Sequence, residues 1–323
     1  MSRVESLVSF RPSGSKDRDD LLVVSSSFER RCVGFCEFLA SSASDYRAKS
    51  AICIRYSDRG DALIRSRAIR LGAELGALVD RIAESKLDEH MEPYAIIEPI
   101  EVFRQHLDCL VPGASVVVDL STITKLHCLY LVDAGLKSHR VAEMRVVYTR
   151  ARYGRHDTLS WGAEEPVLLP GFGRPRQFDE RSHLVMFCGL EPDRSYSVWR
   201  RFGQEGCTAV YVDSGDEDID RCAFRARRLH TFATTATVET LPAFRPLEVA
   251  DFLRAKYDGL RNEGRYMYIA PMTTKWEVVA LPLFFARLPV DAAAGIVYAS
   301  PGRLNASGHT RDELGQRLAM RIR

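Results

Sequence analysis

Short runs of apolar and β-branched residues, each too continuous to lie half-exposed, alternate along this chain with longer stretches of helical period. That alternation constrains the fold more than any other feature, because runs buried on both faces belong to a parallel sheet covered by helices. Residues 21–25, 51–56, 115–119 and 144–149 are such runs, and 183–188, 208–213, 265–270 and 294–299 repeat the series. Matched in order, the two sets are offset by roughly 163, 157, 150 and 150 residues, a drift that modest insertions absorb.

The loops after the runs repeat as well. The first run of each half enters a short loop carrying an acid and an arginine: Ser25-Ser26-Ser27-Phe28-Glu29-Arg30, then Cys188-Gly189-Leu190-Glu191-Pro192-Asp193-Arg194. Pro192 is well placed to open a helix. Asp119-Leu120-Ser121-Thr122-Ile123-Thr124-Lys125 is matched by Ile269-Ala270-Pro271-Met272-Thr273-Thr274-Lys275, and each Thr-Lys pair opens an apolar helix, over 126–136 and 276–288.

The expected architecture is therefore α/β, with two tandem Rossmann-like units, each a mainly parallel sheet flanked by helices, related by pseudo-two-fold symmetry. The expected boundaries are a flexible arm over 1–20, unit 1 over 21–150, a Gly/Pro/Arg-rich linker over 151–181 and unit 2 over 182–323. The last stretch, 311–323, has the pattern of a basic amphipathic helix.

A chain of 323 residues suits two domains. Its 45 basic and 43 acidic residues leave a net charge of +2, so no global field draws it to nucleic acid or membrane, and any anion site must be local. The first twenty residues lack the apolar core of a signal peptide and no apolar run is long enough to span a bilayer, which points to a cytoplasmic protein with no membrane partner. The eight cysteines are scattered without a Cys-x-x-Cys pair, as expected of reduced, buried thiols rather than zinc ligands. No Gly-x-Gly-x-x-Gly follows the first run of either half and no P-loop occurs, so neither a dinucleotide cofactor nor a metal is expected.

A lysine in the first turn of a helix sits at the positive end of the helix dipole, where a cation is disfavoured unless an anion is present. Two copies of that placement suggest a phosphate cradle built from backbone N–H groups, Thr hydroxyls and the Lys charge. In open α/β sheets ligands bind beyond the carboxyl ends of the strands, where both loop types emerge. The plainer alternative is that the Ser and Thr residues are N-caps and the lysines are solvated.

Asp119-x-Ser121-x-x-x-Lys125 after a buried strand resembles the signature loop of CRISPR-associated Rossmann-fold (CARF) domains, Asp/Asn-x-Ser/Thr-x-x-x-Lys/Arg. The loop from Ser25 to Arg30 is similar to that family's second ligand-contacting loop. CARF domains pair about a two-fold axis and bind cyclic oligoadenylates across the pair, and the resemblance implies such a pair within one chain. Ser26, Ser27, Glu29, Arg30, Asp119, Ser121, Thr122, Thr124 and Lys125 would form the better half-site. Asp193, Arg194, Thr273, Thr274 and Lys275 would form a diverged one, since Ile269 and Pro271 replace the Asp and Ser.

The implied function is a nucleotide-binding sensor in antiviral defence, with a signalling nucleotide as ligand, a separate effector protein as partner and a homo-oligomer as an open alternative. Some family members cleave the ring without metal through a ribose 2′-hydroxyl. Lys125 would then be catalytic, stabilising charge on the phosphoryl oxygens, with Ser26 or Ser27 positioning the ligand. A non-catalytic docking subunit is the third reading.

Other motifs are weaker. Arg225-Ala226-Arg227-Arg228-Leu229-His230 has the spacing of an RNase pair but falls where a covering helix is expected. Asp213, Asp216, Glu217, Asp218 and Asp220 suit a solvated helix start better than a Mg²⁺ site. His127 lies near the Lys125 loop, with a packed imidazole as the default. Asn305-Ala306-Ser307 matches a glycosylation triplet that nothing else supports.

Overall fold

The computed structural model describes residues 4–6, 18–42, 46–56, 62–87, 97–151, 160–213, 231–304 and 314–322. The chain forms two compact units, Met1–Arg152 with Arg311–Arg323, and Tyr153–Thr310. Each is an α/β layer structure of Rossmann-like type.

In the first unit, β1 (Val4–Ser6) and β2 (Asp19–Ser26) precede α1 (Arg31–Ser42), β3 (Ala48–Tyr56), α2 (Ala62–Leu78) and β4 (Val79–Leu87). Then come α3 (Ile97–Asp108), β5 (Ala114–Asp119), α4 (Lys125–Lys137) and β6 (Val141–Thr149). The sheet order is β1-β15-β6-β5-β2-β3-β4, where β15 (Arg317–Ile322) returns from the far end of the sequence. The strands β4-β3-β2-β5-β6 are parallel, and β15 and β1 add antiparallel.

Every residue of β2 and β5 is buried, which is why their sequences, DDLLVVSS and ASVVVD, carry no polar alternation. Leu22, Val24, Phe35, Leu39, Leu71 and Leu75 form one core cluster beneath α1 and α2. Each such side chain, fully withdrawn from water, contributes about 1.5–3 kcal/mol.

The second unit repeats the plan with β9 (Arg181–Phe187), α5 (Pro192–Phe202), β10 (Cys207–Asp213) and β11 (Thr237–Pro242). It continues through α6 (Pro246–Asn262), β12 (Arg265–Pro271), the short helices α7 (Lys275–Val278) and α8 (Ala280–Phe285), and β13 (Ala294–Tyr298). Its order is β11-β10-β9-β12-β13-β8, with β8 (Val167–Leu168) antiparallel and the other five strands parallel. Near the ends of this segment, β7 (Ser160–Ala163) pairs antiparallel with β14 (Pro301–Leu304).

All eight strands expected from the sequence are present, and several other expectations change. Each sheet has a third parallel strand, β4 or β11, at its edge. β11 alternates exposed and half-buried residues, and β4 follows α2 without a break, so neither shows an apolar run. The stretch expected as a C-terminal amphipathic helix is instead the strand β15, its side chains alternating between half-buried or exposed and buried against β6.

Within 1–20, Val4–Ser6 pairs with β15 and β2 already begins at Asp19; within 151–181, β7 and β8 belong to the second unit. The helix expected over 276–288 is broken at Val279, because Pro282 has no N–H to offer the preceding turn. Pro192 does open α5. The Arg225–His230 motif, Asp216 to Asp220 and the Asn305 triplet lie outside the described residues. Of the described cysteines all but Cys109 are buried and none is in a disulfide; burial pushes the Cys32 thiol up to about 12.

Candidate functional site

In each sheet the strand order reverses between the first and fourth parallel strands, β2 and β5 in one unit and β9 and β12 in the other. Helical connections leave in opposite directions there, so the carboxyl ends of the two strands border a crevice. Both predicted loop types emerge at these two points.

In the first unit the loops are tied by hydroxyls. Ser25 Oγ and Thr122 Oγ1 share a hydrogen bond of 2.7 Å, and Thr122 Oγ1 lies 3.2 Å from the Ser25 carbonyl. Asp119 Oδ1 accepts from the Ser121 amide at 3.0 Å and from the Ser121 hydroxyl. Ser121 Oγ in turn accepts from the Thr149 amide at 2.8 Å, binding this loop to the end of β6. Ser27 Oγ accepts from the Glu29 amide at 3.3 Å. Ser26, Ser27, Asp119, Ser121 and Thr122 are all buried, so this part of the signature shapes the loop from within.

Less buried groups follow from Thr124 on. Thr124 is the N-cap of α4, its Oγ1 accepting from the His127 amide at 3.3 Å. Its own amide donates to Tyr56 Oη at 3.0 Å, and Tyr56 Oη is 3.0 Å from His127 Nδ1. An amide can only donate, so the phenol oxygen accepts there and keeps its own O–H, which it can donate to Nδ1 of a neutral His127 protonated on Nε2. Burial independently holds His127 down at about 4. Its ring stacks parallel to Tyr56 at 5.5 Å and meets Phe103 edge-on at 6.3 Å. Lys125, half-buried, takes the first position of α4, and Arg30 is exposed on the loop after β2.

A second constellation recurs in both units. Arg31 donates to Glu29 Oε2 at 2.9 and 2.5 Å and to the Thr149 carbonyl at 2.9 Å, with its guanidinium 5.8 Å from the Tyr148 ring centre. Arg194 pairs with Glu191 at 2.5 Å, donates to the Ala299 carbonyl at 2.9 Å and sits 5.5 Å from the Tyr298 ring centre. Acid, arginine, carbonyl and tyrosine thus join the first loop to the end of the fifth parallel strand twice over. The counterpart of Arg194 is Arg31 rather than Arg30, and the paired acid is Glu191, which also accepts from Ser160 Oγ, while Asp193 is exposed. The equivalence was blurred in the sequence by one residue of difference in spacing, Glu-x-Arg against Glu-x-x-Arg.

Around Lys275 the chemistry differs. Thr273 is buried, and Thr274 Oγ1 donates to Glu277 Oε2 instead of capping an amide. Glu277, 1% exposed, accepts from the Phe244 amide at 2.9 Å through its other oxygen. Trp276 Nε1 donates to the Phe244 carbonyl at 3.1 Å. The first loop packs backbone to backbone on this one, since a Cβ on Gly189 would stand 1.9 Å from the Met272 carbonyl oxygen. Tyr56 and Glu277 were missed in the sequence. Thr274-x-x-Glu277 is a capping-box pattern that could have flagged the latter, whereas Tyr56 reaches Thr124 only through the sheet. Among the described residues no group of His, Cys, Asp or Glu is arranged to hold a metal, and no helix is long and apolar enough to cross a membrane.

With this geometry in view, comparison with known proteins is informative at one level. No protein-family model and no curated protein sequence matches the chain. Among solved structures, the chain is similar to a type III CRISPR defence DNA nuclease activated by cyclic oligoadenylate. The TM-score is 0.51 at 10% identity, over 87% of this chain and 65% of that one. The likeness is one of fold. This chain spans about 65% of the length of that nuclease. A match to the cytoplasmic domain of a prokaryotic cation chloride cotransporter, at 8% identity over 90% of this chain and 98% of that one, has a TM-score of 0.26 and carries no argument.

Proposed function

We propose that this protein is a sensor that binds a signalling nucleotide, specifically a cyclic oligonucleotide, and acts in antiviral defence through a separate effector protein. The observation that carries the reading is the position of Lys125. It opens a 13-residue helix at the strand-order reversal of a parallel sheet, where a helix N-terminus and a lysine together suit a phosphate. Arg30 on the facing loop adds a second cation, this one exposed. The fold shared with a nuclease activated by cyclic oligoadenylate supports the choice of ligand class.

Asp119, Ser121, Thr122, Ser26 and Ser27 act in this reading as the frame that holds the Lys125 turn, not as direct ligand contacts. The test is thermal denaturation in the presence of a panel of cyclic di-, tri- and tetranucleotides. Saturating ligand at 100 times its Kd raises stability by about 2.7 kcal/mol, several degrees in melting temperature. No shift with any member would overturn the proposal. Chromatography of the same mixtures separates a sensor, which returns the ring intact, from a metal-free phosphodiesterase dependent on Lys125, which returns linear product.

A further inference from the structure

Both Lys-bearing helices open with the same pattern: Thr at the N-cap, Lys next, and a titratable residue at the third helical position. In the first unit that residue is His127, and in the second it is Glu277. We propose that this third position decides which unit accepts an anion. Neutral His127 leaves the N-terminus of α4 to a ligand phosphate, whereas Glu277 supplies the second unit with a carboxylate of its own, so Lys275 belongs to no ligand site. The inference rests on the nucleotide reading above and names the determinant of where that ligand binds.

The two hydrogen-bond patterns carry the argument. In the first unit the N-cap hydroxyl serves the His127 amide, and the imidazole is buried and hydrogen-bonded to the Tyr56 hydroxyl, where in its neutral form it adds no charge to the turn. In the second the N-cap hydroxyl donates to Glu277, whose oxygens also accept from the Phe244 amide, the acceptor role an ionised carboxylate fills. Glu277 is held there because Trp276 grips the Phe244 carbonyl from the same helix, and Phe244 sits at φ 61°, in the left-handed region that a non-glycine residue seldom adopts. A phosphate within about 5 Å of that carboxylate meets a repulsion worth on the order of a hundredfold in affinity. The Gly189–Met272 approach brings the second unit's loops together backbone to backbone, where the first unit's are bridged by a pair of hydroxyls.

The test is titration calorimetry of the full chain with cyclic tri- and tetra-adenylate. Lys125→Ala should weaken binding about tenfold or more, the loss of one charge-assisted contact. Lys275→Ala should leave the affinity within about twofold. His127→Gln and His127→Glu have nearly equal volume and differ in charge, and the Gln variant should bind at least about tenfold more tightly. If the His127 variants fail to fold by circular dichroism, the lysine pair alone decides the matter. Equal losses in the two lysine variants, or equal binding by the Gln and Glu variants, would overturn this inference while leaving the nucleotide reading standing. A wild type that binds no ring overturns both.

Discussion

Arg31 and Glu29 lie buried together at the end of β2, and removing one partner strands the charge of the other. Arg31→Met should therefore cost about 3–5 kcal/mol in urea unfolding, and the double variant with Glu29→Gln should recover part of that loss. The equivalent pair, Glu191 and Arg194, should behave alike, which would establish the duplicated clasp as an energetic unit in both halves. His127 makes a second residue-scale prediction. An exposed imidazole titrates near 6.5, and this one is held at about 4 by burial, so between those values the unfolded chain binds a proton that the folded chain does not. Stability is then full above about pH 6.5 and falls as pH drops towards 4, by about 3 kcal/mol at most. His183, lowered to about 4 by burial and Arg265, contributes with the same sign. The difference between wild type and His127→Phe, measured by urea midpoints at pH 7 and pH 5, isolates the share of His127.

At the scale of elements, the two loops at the second unit's strand-order reversal meet without side chains between them. Gly189→Ala would drive a Cβ into the Met272 carbonyl, a backbone atom that cannot rotate aside, and should destabilise the protein by about 2 kcal/mol or more in thermal denaturation. Central strands and edge strands differ in how visible they are in a sequence. β2, β5, β9 and β12 are buried on both faces and announce themselves as apolar runs, whereas β4 and β11 have one neighbour each and keep polar residues such as Asp80, Arg81, Glu239 and Thr240. The Lys125 turn is legible for the same reason that β5 is, since it follows a buried strand directly. The Tyr56 contact is not, because 68 residues separate Tyr56 from the amide it receives and only the β3–β2–β5 pairing shortens that gap.

At the scale of the whole molecule, the chain leaves the first unit after β6, builds the second, and returns to lay β15 on β6. Deleting residues 314–322 should expose the edge of β6 and strip β1 of its partner. Hydrogen exchange should then rise in β5 and β6 while β9 and β12 keep their protection. The sequence by itself determined the layer architecture, the duplication and the turn that carries Lys125, because burial on both faces of a parallel strand and the opening of a helix are local demands on residue type. Only the tertiary structure decided three further points: that β15 completes the first unit, that Arg31 rather than Arg30 is the partner of its loop, and that Thr124 caps an amide where Thr274 bonds the Glu277 carboxylate. Each depends on which distant groups share a few ångströms, and strand order sets those neighbours without leaving a periodic trace along the chain.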